Sequence, residues 1–175
     1  MLPEQALQLI RNDFMDSGRP VLWADLGCGA GTFTRALSRL LPEGSFIYAV
    51  DRQQQTEVTL STNKAVSISF QQKDFEKDKL DLPLLDGILM ANALHYVSDK
   101  TKLIQKLEQY LKPEGVLLIV EYDTRSANRW VPYPIDRDQL KKLFSASGFE
   151  HTKVLGTLPS VFGQGLIYAC YISRR

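Results

Sequence analysis

Five short apolar runs lie within the first 120 residues, and amphipathic or polar segments separate them. Such alternation is typical of a parallel sheet that is covered by helices on both faces. The runs show little polar alternation, as expected for strands that are buried on both sides. The predicted strands are residues 21–24, 46–50, 65–70, 88–91 and 116–120.

Helix signals follow the fourth and fifth runs. Leucines repeat at four-residue spacing from Leu103 to Leu111 after a Ser-Asp start, and the KPEG stretch after Leu111 ends this predicted helix. A second helix is predicted from an Asp136 cap to a stop at Gly148. Residues 53–63 are polar and rich in threonine, which favours a weak or short helix.

The end of the chain has a different pattern. Residues 153–155 and 166–172 are β-like, and a turn containing Pro and Gly separates them, which predicts an antiparallel hairpin at a sheet edge. The sequence therefore predicts an α/β fold: a doubly wound, mostly parallel sheet of about seven strands with a C-terminal antiparallel hairpin and helices on both faces. Residues 1–175 are expected to form a single Rossmann-like domain.

Charge gives no sign of a nucleic acid or lipid partner. The chain has 21 Lys and Arg against 20 Asp and Glu, a net charge of +1, so any such partner would need a local basic patch. A solvated helix surface accounts for the clustered lysines more simply than a nucleic acid site does. These lysines are Lys100, Lys102, Lys106 and Lys112.

Targeting and redox signals are also sparse. The chain has two cysteines, Cys28 and Cys170, without a CxxC pair or a nearby His, so neither a metal site nor a disulfide is predicted. The N-terminus lacks the apolar core of a signal peptide, and the longest apolar run, 116–120, is far below the roughly 20 residues of a membrane span. We expect a cytoplasmic protein.

A glycine-rich loop follows the first predicted strand, where residues 20–34 read PVLWADLGCGAGTFT. Gly27, Gly29 and Gly31 allow a tight turn and a close approach of the backbone to a ligand, although glycines also serve ordinary turns. Asp51 ends the next strand, 20 residues after Gly31, where a carboxylate can accept hydrogen bonds from ribose hydroxyls. Loop and carboxylate together predict a nucleoside site.

The charge near the loop indicates which nucleoside. The glycine spacing is GxGxG, Thr32 takes the place of the third glycine of a dinucleotide motif, and Asp25 lies two residues before the first glycine. A carboxylate at Asp25 would repel a pyrophosphate and attract a ligand with an ammonium and a sulfonium group. These charges favour S-adenosylmethionine.

The chain resembles the class I S-adenosylmethionine-dependent methyltransferases over nearly its whole length. DLGCGAG, YAVDR and QKDFEK are similar to the family's donor motifs, LDGILMANALHYV to its fourth motif, and LKPEGVLLIVEYD to its fifth strand. The resemblance implies that Asp25 and the glycines face the methionine part, Asp51 the ribose, and Asp74 with the Phe75 amide the adenine. The implied donor-binding residues are Asp25, Gly27, Gly29, Gly31, Asp51, Asp74, Phe75 and Asn92.

Methyl transfer is an in-line displacement, so the protein mainly has to align the donor with the acceptor. Asn92 follows the fourth strand at the ligand edge, where it could contact the methionine part or the acceptor, and His95 lies in the next turn. Both are candidate catalytic residues. His95 is either a base that contacts the acceptor or a side chain that bonds backbone at a helix start. Asp86, at the opposite strand end, is interpreted as structural. No metal site is predicted.

The predicted acceptor site follows the fifth strand. Residues 124–135 form the longest uncommitted segment at the ligand edge, and long loops at such an edge tend to be functional. Aromatic side chains there can instead anchor the loop to the core. The candidate acceptor contacts are Glu121, Arg125, Arg129, Trp130 and Tyr133.

Three functions fit these patterns. The first is methylation of a small molecule without a metal ion. The second is a nicotinamide-dependent oxidoreductase, which shares the fold but conflicts with Asp25 and the glycine spacing. The third is a partner subunit that binds S-adenosylmethionine or S-adenosylhomocysteine without an acceptor pocket of its own. The sequence leaves the acceptor and the oligomeric state open.

Overall fold

The computed structural model describes residues 1–13, 18–54, 65–160 and 165–174. In chain order the elements are α1 (Pro3–Ile10), β1 (Leu22–Leu26), α2 (Thr32–Ser38), β2 (Phe46–Asp51), β3 (Ser67–Gln72), β4 (Leu85–Ala91), a 3₁₀ turn (Leu94–Tyr96), α3 (Lys100–Glu108), β5 (Leu111–Tyr122), α4 (Arg137–Ala146), β6 (His151–Pro159) and β7 (Leu166–Ser173).

The seven strands form one sheet in the order β3-β2-β1-β4-β5-β7-β6. Strands β1 to β5 pair in parallel, whereas β7 is antiparallel to both β5 and β6. This arrangement confirms the predicted doubly wound sheet with a C-terminal hairpin. The strand order reverses between β1 and β4, and in such sheets the ligand crevice opens at the carboxyl ends of these central strands.

The absence of polar alternation in the strands follows from burial on both faces. In β4, Ile88 and Met90 belong to one apolar cluster and Leu89 belongs to another, and all three are fully buried. The first cluster includes residues of α3 and α4, and the second includes residues of α1 and α2. Helices therefore cover both faces, as the sequence predicts.

Helix α3 is shorter than predicted. Its cap is correct, since Asp99 Oδ1 accepts from the Lys102 amide at 2.9 Å, but the helix ends at Glu108. Leu111 instead begins β5 and pairs with Leu85. The leucine repeat continues past the helix end because Leu111 is buried as a strand residue.

Helix α1 is absent from the sequence prediction. Pro3 occupies the start of the helix, a position that tolerates its missing N–H, and the Leu2 amide donates to Gln5 Oε1 at 3.0 Å. Leu7 and Ile10 join the cluster that contains α2. The helix is stable because it buries this face. Its eight residues contain only about two helical turns, too few to show a helical repeat in the sequence.

The remaining elements differ from the prediction mainly in length. Strand β6 is longer than the predicted 153–155, and a register shift between Val154 and Gly156 interrupts its alternation, so the sequence pattern shows only part of the strand. Helix α4 begins at the predicted Asp136 cap, where Asp136 and Gln139 form a reciprocal capping box, and Gly148 follows with φ +83°. The predicted helix at 53–63 lies almost wholly outside the described residues.

Trp23 packs directly against Gly87 across the β1–β4 pair, which predicts a steric limit at this glycine. A Cβ atom added to Gly87 would lie 2.4 Å from Trp23 Cζ2, and Trp23 is only 4% exposed. We expect Gly87→Ala to lower the free energy of unfolding by about 1 to 3 kcal/mol, measured by urea denaturation. Gly165→Ala, whose Cβ would meet no atom of the described residues within 4 Å, is the control. Equal stability of the two variants would contradict this prediction.

Candidate functional site

The glycine loop joins β1 to α2 at the centre of the sheet. Gly27, Gly29 and Gly31 all have positive φ, at +75°, +50° and +80°. A Cβ at Gly27 would lie 2.7 Å from Ala93 Cβ, whereas one at Gly29 would meet nothing within 4 Å. Gly27 is therefore required for packing inside the protein, and Gly29 faces open space.

Asp25 lies beneath this loop and is 1% exposed. Its Oδ2 accepts from Thr34 Oγ1 at 2.6 Å, and its Oδ1 has no hydrogen-bond partner among the described residues. Burial raises the pKa of the Asp25 carboxyl to about 7; the Thr34 hydrogen bond lowers it and the Asp51 charge adds to the rise. A buried acceptor without a partner suits a cationic ligand.

Two cavities open at this edge of the sheet. The glycine-loop cavity, of about 360 Å³, is lined by Asp25, Gly29 and Thr32 among others. The Asp74 cavity, of about 260 Å³, is lined by Asp74 and Phe75 among others. The two cavities share four lining residues, which are Gly27, Asp51, Asn92 and Tyr96. A ligand that is longer than one cavity can therefore extend through both.

Asp51 connects the two cavities through its carboxylate. Oδ2 accepts from the Gly29 amide at 2.9 Å, and Oδ1 accepts from the Gln53 amide at 2.9 Å. Each carboxylate oxygen can accept a further hydrogen bond, as a ribose diol would require. Asp51 also holds Gly29 in place, a role that its sequence position does not reveal.

Asp74 and Phe75 form a short loop after β3. Asp74 Oδ1 accepts from the amides of Glu76 and Lys77 at 3.0 and 3.3 Å, which shapes the loop into a turn. The predicted adenine contacts therefore lie together in the wall of one cavity.

Lys106 on α3 fixes this loop from behind. Its Nζ donates to the carbonyl oxygens of Phe75, Glu76 and Asp78 at 2.8, 3.1 and 2.5 Å. Partial burial lowers the pKa of Lys106, while the neighbouring carboxylates raise it. The interpretation of Lys106 as part of a solvated helix surface is therefore wrong, and no local sequence signal distinguishes it from Lys102.

Asn92 stands where the cavities meet. It follows β4 with φ +53°, an uncommon conformation for a residue other than glycine, and its amide donates to the Val120 carbonyl at 2.8 Å. Its Oδ1 is buried and has no partner among the described residues. Backbone strain together with an unsatisfied polar atom is typical of a functional position.

A third cavity, the Trp130 cavity, lies beyond Asn92 and measures about 770 Å³. Its lining includes His95, Tyr96, Tyr122, Trp130 and Leu166, and no Lys or Arg among the described residues. Trp130 is 73% exposed and stands at the rim. Asn92 and Tyr96 line all three cavities.

His95 and Glu121 form a buried pair at the inner end of this cavity. His95 Nδ1 lies 2.7 Å from Glu121 Oε2, and the His95 amide donates to Glu121 Oε1 at 3.1 Å. The ring therefore bonds a carboxylate rather than the backbone, contrary to the interpretation of His95 as a backbone-bonding side chain. Glu121 is 1% exposed and lies behind His95, so the structure does not place it in the cavity wall as an acceptor contact.

The other predicted acceptor residues are dispersed. Arg125 forms an ion pair with Asp136, which caps α4. Tyr133 donates its amide to the His95 carbonyl at 3.0 Å, and its own carbonyl accepts from Lys100 Nζ at 2.8 Å. Arg129 is exposed. Of the four loop candidates, only Trp130 lines the cavity.

Comparison with known proteins identifies the family. A family model described as a methyltransferase domain matches residues 16–157. The chain is 30% identical over 147 residues to the ubiquinone/menaquinone biosynthesis C-methyltransferase of Pseudomonas aeruginosa, covering 81% of this chain and 53% of that protein. It is 34% identical over 119 residues to the malonyl-[acyl-carrier protein] O-methyltransferase of Halalkalibacterium halodurans, covering 65% and 43%. The chain thus spans about half the length of these relatives.

Solved structures share the fold at low identity. The 1,6-didemethyltoxoflavin-N1-methyltransferase of Burkholderia thailandensis, solved with S-adenosylhomocysteine, has a TM-score of 0.74 at 18% identity over 99% of this chain and 78% of that chain. A SAM-dependent methyltransferase from Aquifex aeolicus has a TM-score of 0.64 at 21% identity, over 98% and 89%.

Within the described residues, none of the helices has the length and apolar character needed to cross a bilayer. The sheet order, the glycine loop and the acidic residues at the end of β2 and after β3 agree with the family match. The chain therefore belongs to the class I S-adenosylmethionine-dependent methyltransferases.

Proposed function

We propose that this chain transfers the methyl group of S-adenosylmethionine to a small-molecule acceptor. One observation carries the proposal: the two cavities that the donor motifs line and the larger Trp130 cavity meet at Asn92 and Tyr96. A donor in the first two and an acceptor in the third would meet at this junction. Such alignment of two reactants is the main catalytic requirement of methyl transfer.

The described residues fit the donor. The unpartnered Oδ1 of Asp25 would accept from the ammonium group, and the open space at Gly29 leaves room beside the loop. Asp51 would accept from the ribose hydroxyls, and Asp74 and Phe75 would hold the adenine. The donor supplies a methyl group that its positively charged sulfur activates for displacement.

The residues at the junction position the reactants. Asn92 would direct its buried Oδ1 toward either ligand, and its strained backbone holds that oxygen in place. Tyr96, Tyr122 and Trp130 provide aromatic surface that would exclude water from the reacting atoms. Proximity and exclusion of water suffice for an acceptor that is already nucleophilic.

The two alternative functions agree less well with the site. A dinucleotide would bring its pyrophosphate close to the buried Asp25 carboxylate. A partner subunit would not need the Trp130 cavity, which adjoins the donor site.

The two free buried cysteines suit a reducing compartment, so the cytoplasm remains our proposed location.

The decisive experiment has two arms. Calorimetric titration with S-adenosylhomocysteine and with NADH should show binding of the first ligand only. Incubation with methyl-labelled S-adenosylmethionine and a metabolite pool should then label a small molecule. Binding of NADH alone would overturn the proposal, and S-adenosylhomocysteine binding without any labelled product would favour the partner subunit.

The loop after β5 supplies a matched pair of variants. Trp130 lines the cavity, whereas the neighbouring Arg129 is exposed and outside its lining. We expect Trp130→Ala to lower methyl transfer by about tenfold or more while affinity for S-adenosylhomocysteine stays within a few-fold. Arg129→Ala should leave both unchanged. Equal effects of the two substitutions on turnover would remove Trp130 from the acceptor site.

Lys106 supplies a test of the donor site. Lys106→Met keeps an unbranched side chain of similar length but removes three hydrogen bonds to the Phe75, Glu76 and Asp78 carbonyls. The loosened loop should reduce affinity for S-adenosylhomocysteine by about tenfold, measured by calorimetry. Lys102→Met, on the exposed side of the same helix, is the control. Unchanged affinity in Lys106→Met would show that the loop of Asp74 and Phe75 keeps its shape without the Lys106 hydrogen bonds.

A further inference from the structure

The buried His95–Glu121 pair lies in the acceptor region, and the proposed alignment of the reactants gives it no role. His95 is 2% exposed and Glu121 is 1% exposed, so both groups are withdrawn from water. Placing an ionisable pair in an apolar sheet edge is unfavourable unless both members are bonded. The short contact between Nδ1 and Oε2 at 2.7 Å meets this condition.

Glu121 fixes His95 at two points. Its Oε1 accepts the His95 amide and its Oε2 faces Nδ1, so the backbone and the ring are both held. A carboxylate on Nδ1 favours the tautomer with a proton on that nitrogen and a free lone pair on Nε2. Nε2 has no hydrogen-bond partner among the described residues, and His95 lines the Trp130 cavity. Nε2 is thus the ring nitrogen that remains for a ligand.

The cavity limits the acceptor by charge and shape. Its described lining has no cationic side chain to hold a carboxylate or phosphate, and Asp123 in its wall is paired with Arg137 at 2.7 Å. Tyr96, Tyr122 and Trp130 offer aromatic surface. A neutral, planar molecule fits such a lining better than an anion.

We infer that His95 is the proton acceptor for a neutral aromatic acceptor that carries a weakly acidic hydroxyl group, with Glu121 as its positioning residue. This inference rests on the proposed function. The hydroxyl oxygen forms the new bond to the methyl carbon, and the carbon–sulfur bond breaks with its electron pair going to sulfur. The hydroxyl proton passes to Nε2, and Glu121 stabilises the resulting imidazolium.

Several titratable groups surround this pair. Tyr96 and Tyr122 lie beside the ring, with centroids 4.3 and 5.8 Å away. Lys100 and Tyr168 interact electrostatically with Glu121, and Asp123 lines the same cavity.

The first test needs no acceptor. The chain has two histidines, His95 and His151, so nitrogen NMR of protein labelled with ¹⁵N-histidine gives two ring systems, and His151→Gln assigns them. In the S-adenosylhomocysteine complex we expect the proton of the His95 ring to lie on Nδ1, the nitrogen that faces Glu121. Glu121→Gln should redistribute the tautomers of His95 and leave His151 unchanged. Protonation of Nε2 instead of Nδ1 in the wild type would overturn the inference.

The second test uses a set of neutral phenols and a matched set of anilines, which need no base before attack. We expect transfer to phenols to fall by about 100-fold or more in His95→Gln and Glu121→Gln, with affinity for S-adenosylhomocysteine within about twofold. His151→Gln should match the wild type. Preference for anilines, less than a threefold loss in His95→Gln, or no transfer to either set would overturn the inference. Failure to bind S-adenosylhomocysteine would instead overturn the proposed function.

Discussion

Replacing Asp25 by Asn should weaken S-adenosylhomocysteine binding by about ten- to 100-fold, because the ligand's ammonium group loses a charged acceptor. Asn keeps the shape of the side chain and can still accept from Thr34, which bonds Oδ2 at 2.6 Å in the wild type. Wild-type affinity should rise with pH until the carboxyl is ionised near its pKa of about 7 and then level off. The variant's affinity should not depend on pH in this range, and a parallel dependence would contradict the assignment.

The same substitution has an opposite expected effect on the ligand-free fold. Folding raises the pKa of Asp25 from 3.8 to about 7, so between these pH values the folded wild type binds a proton that the unfolded chain does not. The free energy of unfolding of the wild type therefore falls as pH rises through this range. The stability of Asp25→Asn relative to wild type should therefore increase by about 2 to 3 kcal/mol from pH 5 to pH 8. Urea denaturation at both pH values measures this difference. A stability difference between variant and wild type that is the same at pH 5 and pH 8 would show that Asp25 is ionised over this whole range.

Gly29→Val should abolish donor binding, a loss of more than about 100-fold, while most of the fold remains. The added side chain would occupy the open space beside the loop, where a Cβ meets nothing within 4 Å. Calorimetric titration with S-adenosylhomocysteine measures the loss, and circular dichroism checks the fold. Unchanged affinity in the folded variant would show that the donor does not approach this loop.

A control is needed because φ of +50° at Gly29 is strained for valine. Gly148 after α4 also has positive φ and open space around its Cβ, but it lies outside the linings of the three cavities. Gly148→Val should therefore lower stability by a comparable amount and leave donor affinity intact. A loss of affinity in both variants would indicate that strain, and not occupation of the site, is responsible.

The sheet could be predicted from the sequence because strands that are buried on both faces consist almost entirely of apolar residues. Runs such as the one around Leu89 are apolar at every position, since one cluster of side chains lies above the sheet and another below it. Element ends were less predictable. Leu111 continues a helical repeat, yet its pairing with Leu85 decides its structure, and that contact is not local in sequence.

The residues of the proposed donor site come together at one edge of the sheet because of its parallel strands. Asp25 and Asp51 lie at the carboxyl ends of β1 and β2, Gly29 and Asp74 lie in the loops after β1 and β3, and parallel strands bring their carboxyl ends to one edge. The acceptor side depends on side-chain direction within a loop. Arg125 and Trp130 both lie in the loop after β5, so the sequence does not distinguish them. In the structure Arg125 pairs with the Asp136 carboxylate, whereas Trp130 lines the cavity.

Helix α3 carries two lysines that bind different loops. Lys100 Nζ donates to the carbonyls of Val97 and Tyr133 on the acceptor side, and Lys106 Nζ donates to the Phe75 carbonyl in the loop after β3. Six residues of helix separate these lysines, a rise of about 9 Å that the regular backbone fixes. The helix thus fixes the distance between the loop that contains Tyr133 and the loop that contains Phe75. Either loop can change its composition without altering the spacing of the two points that anchor them.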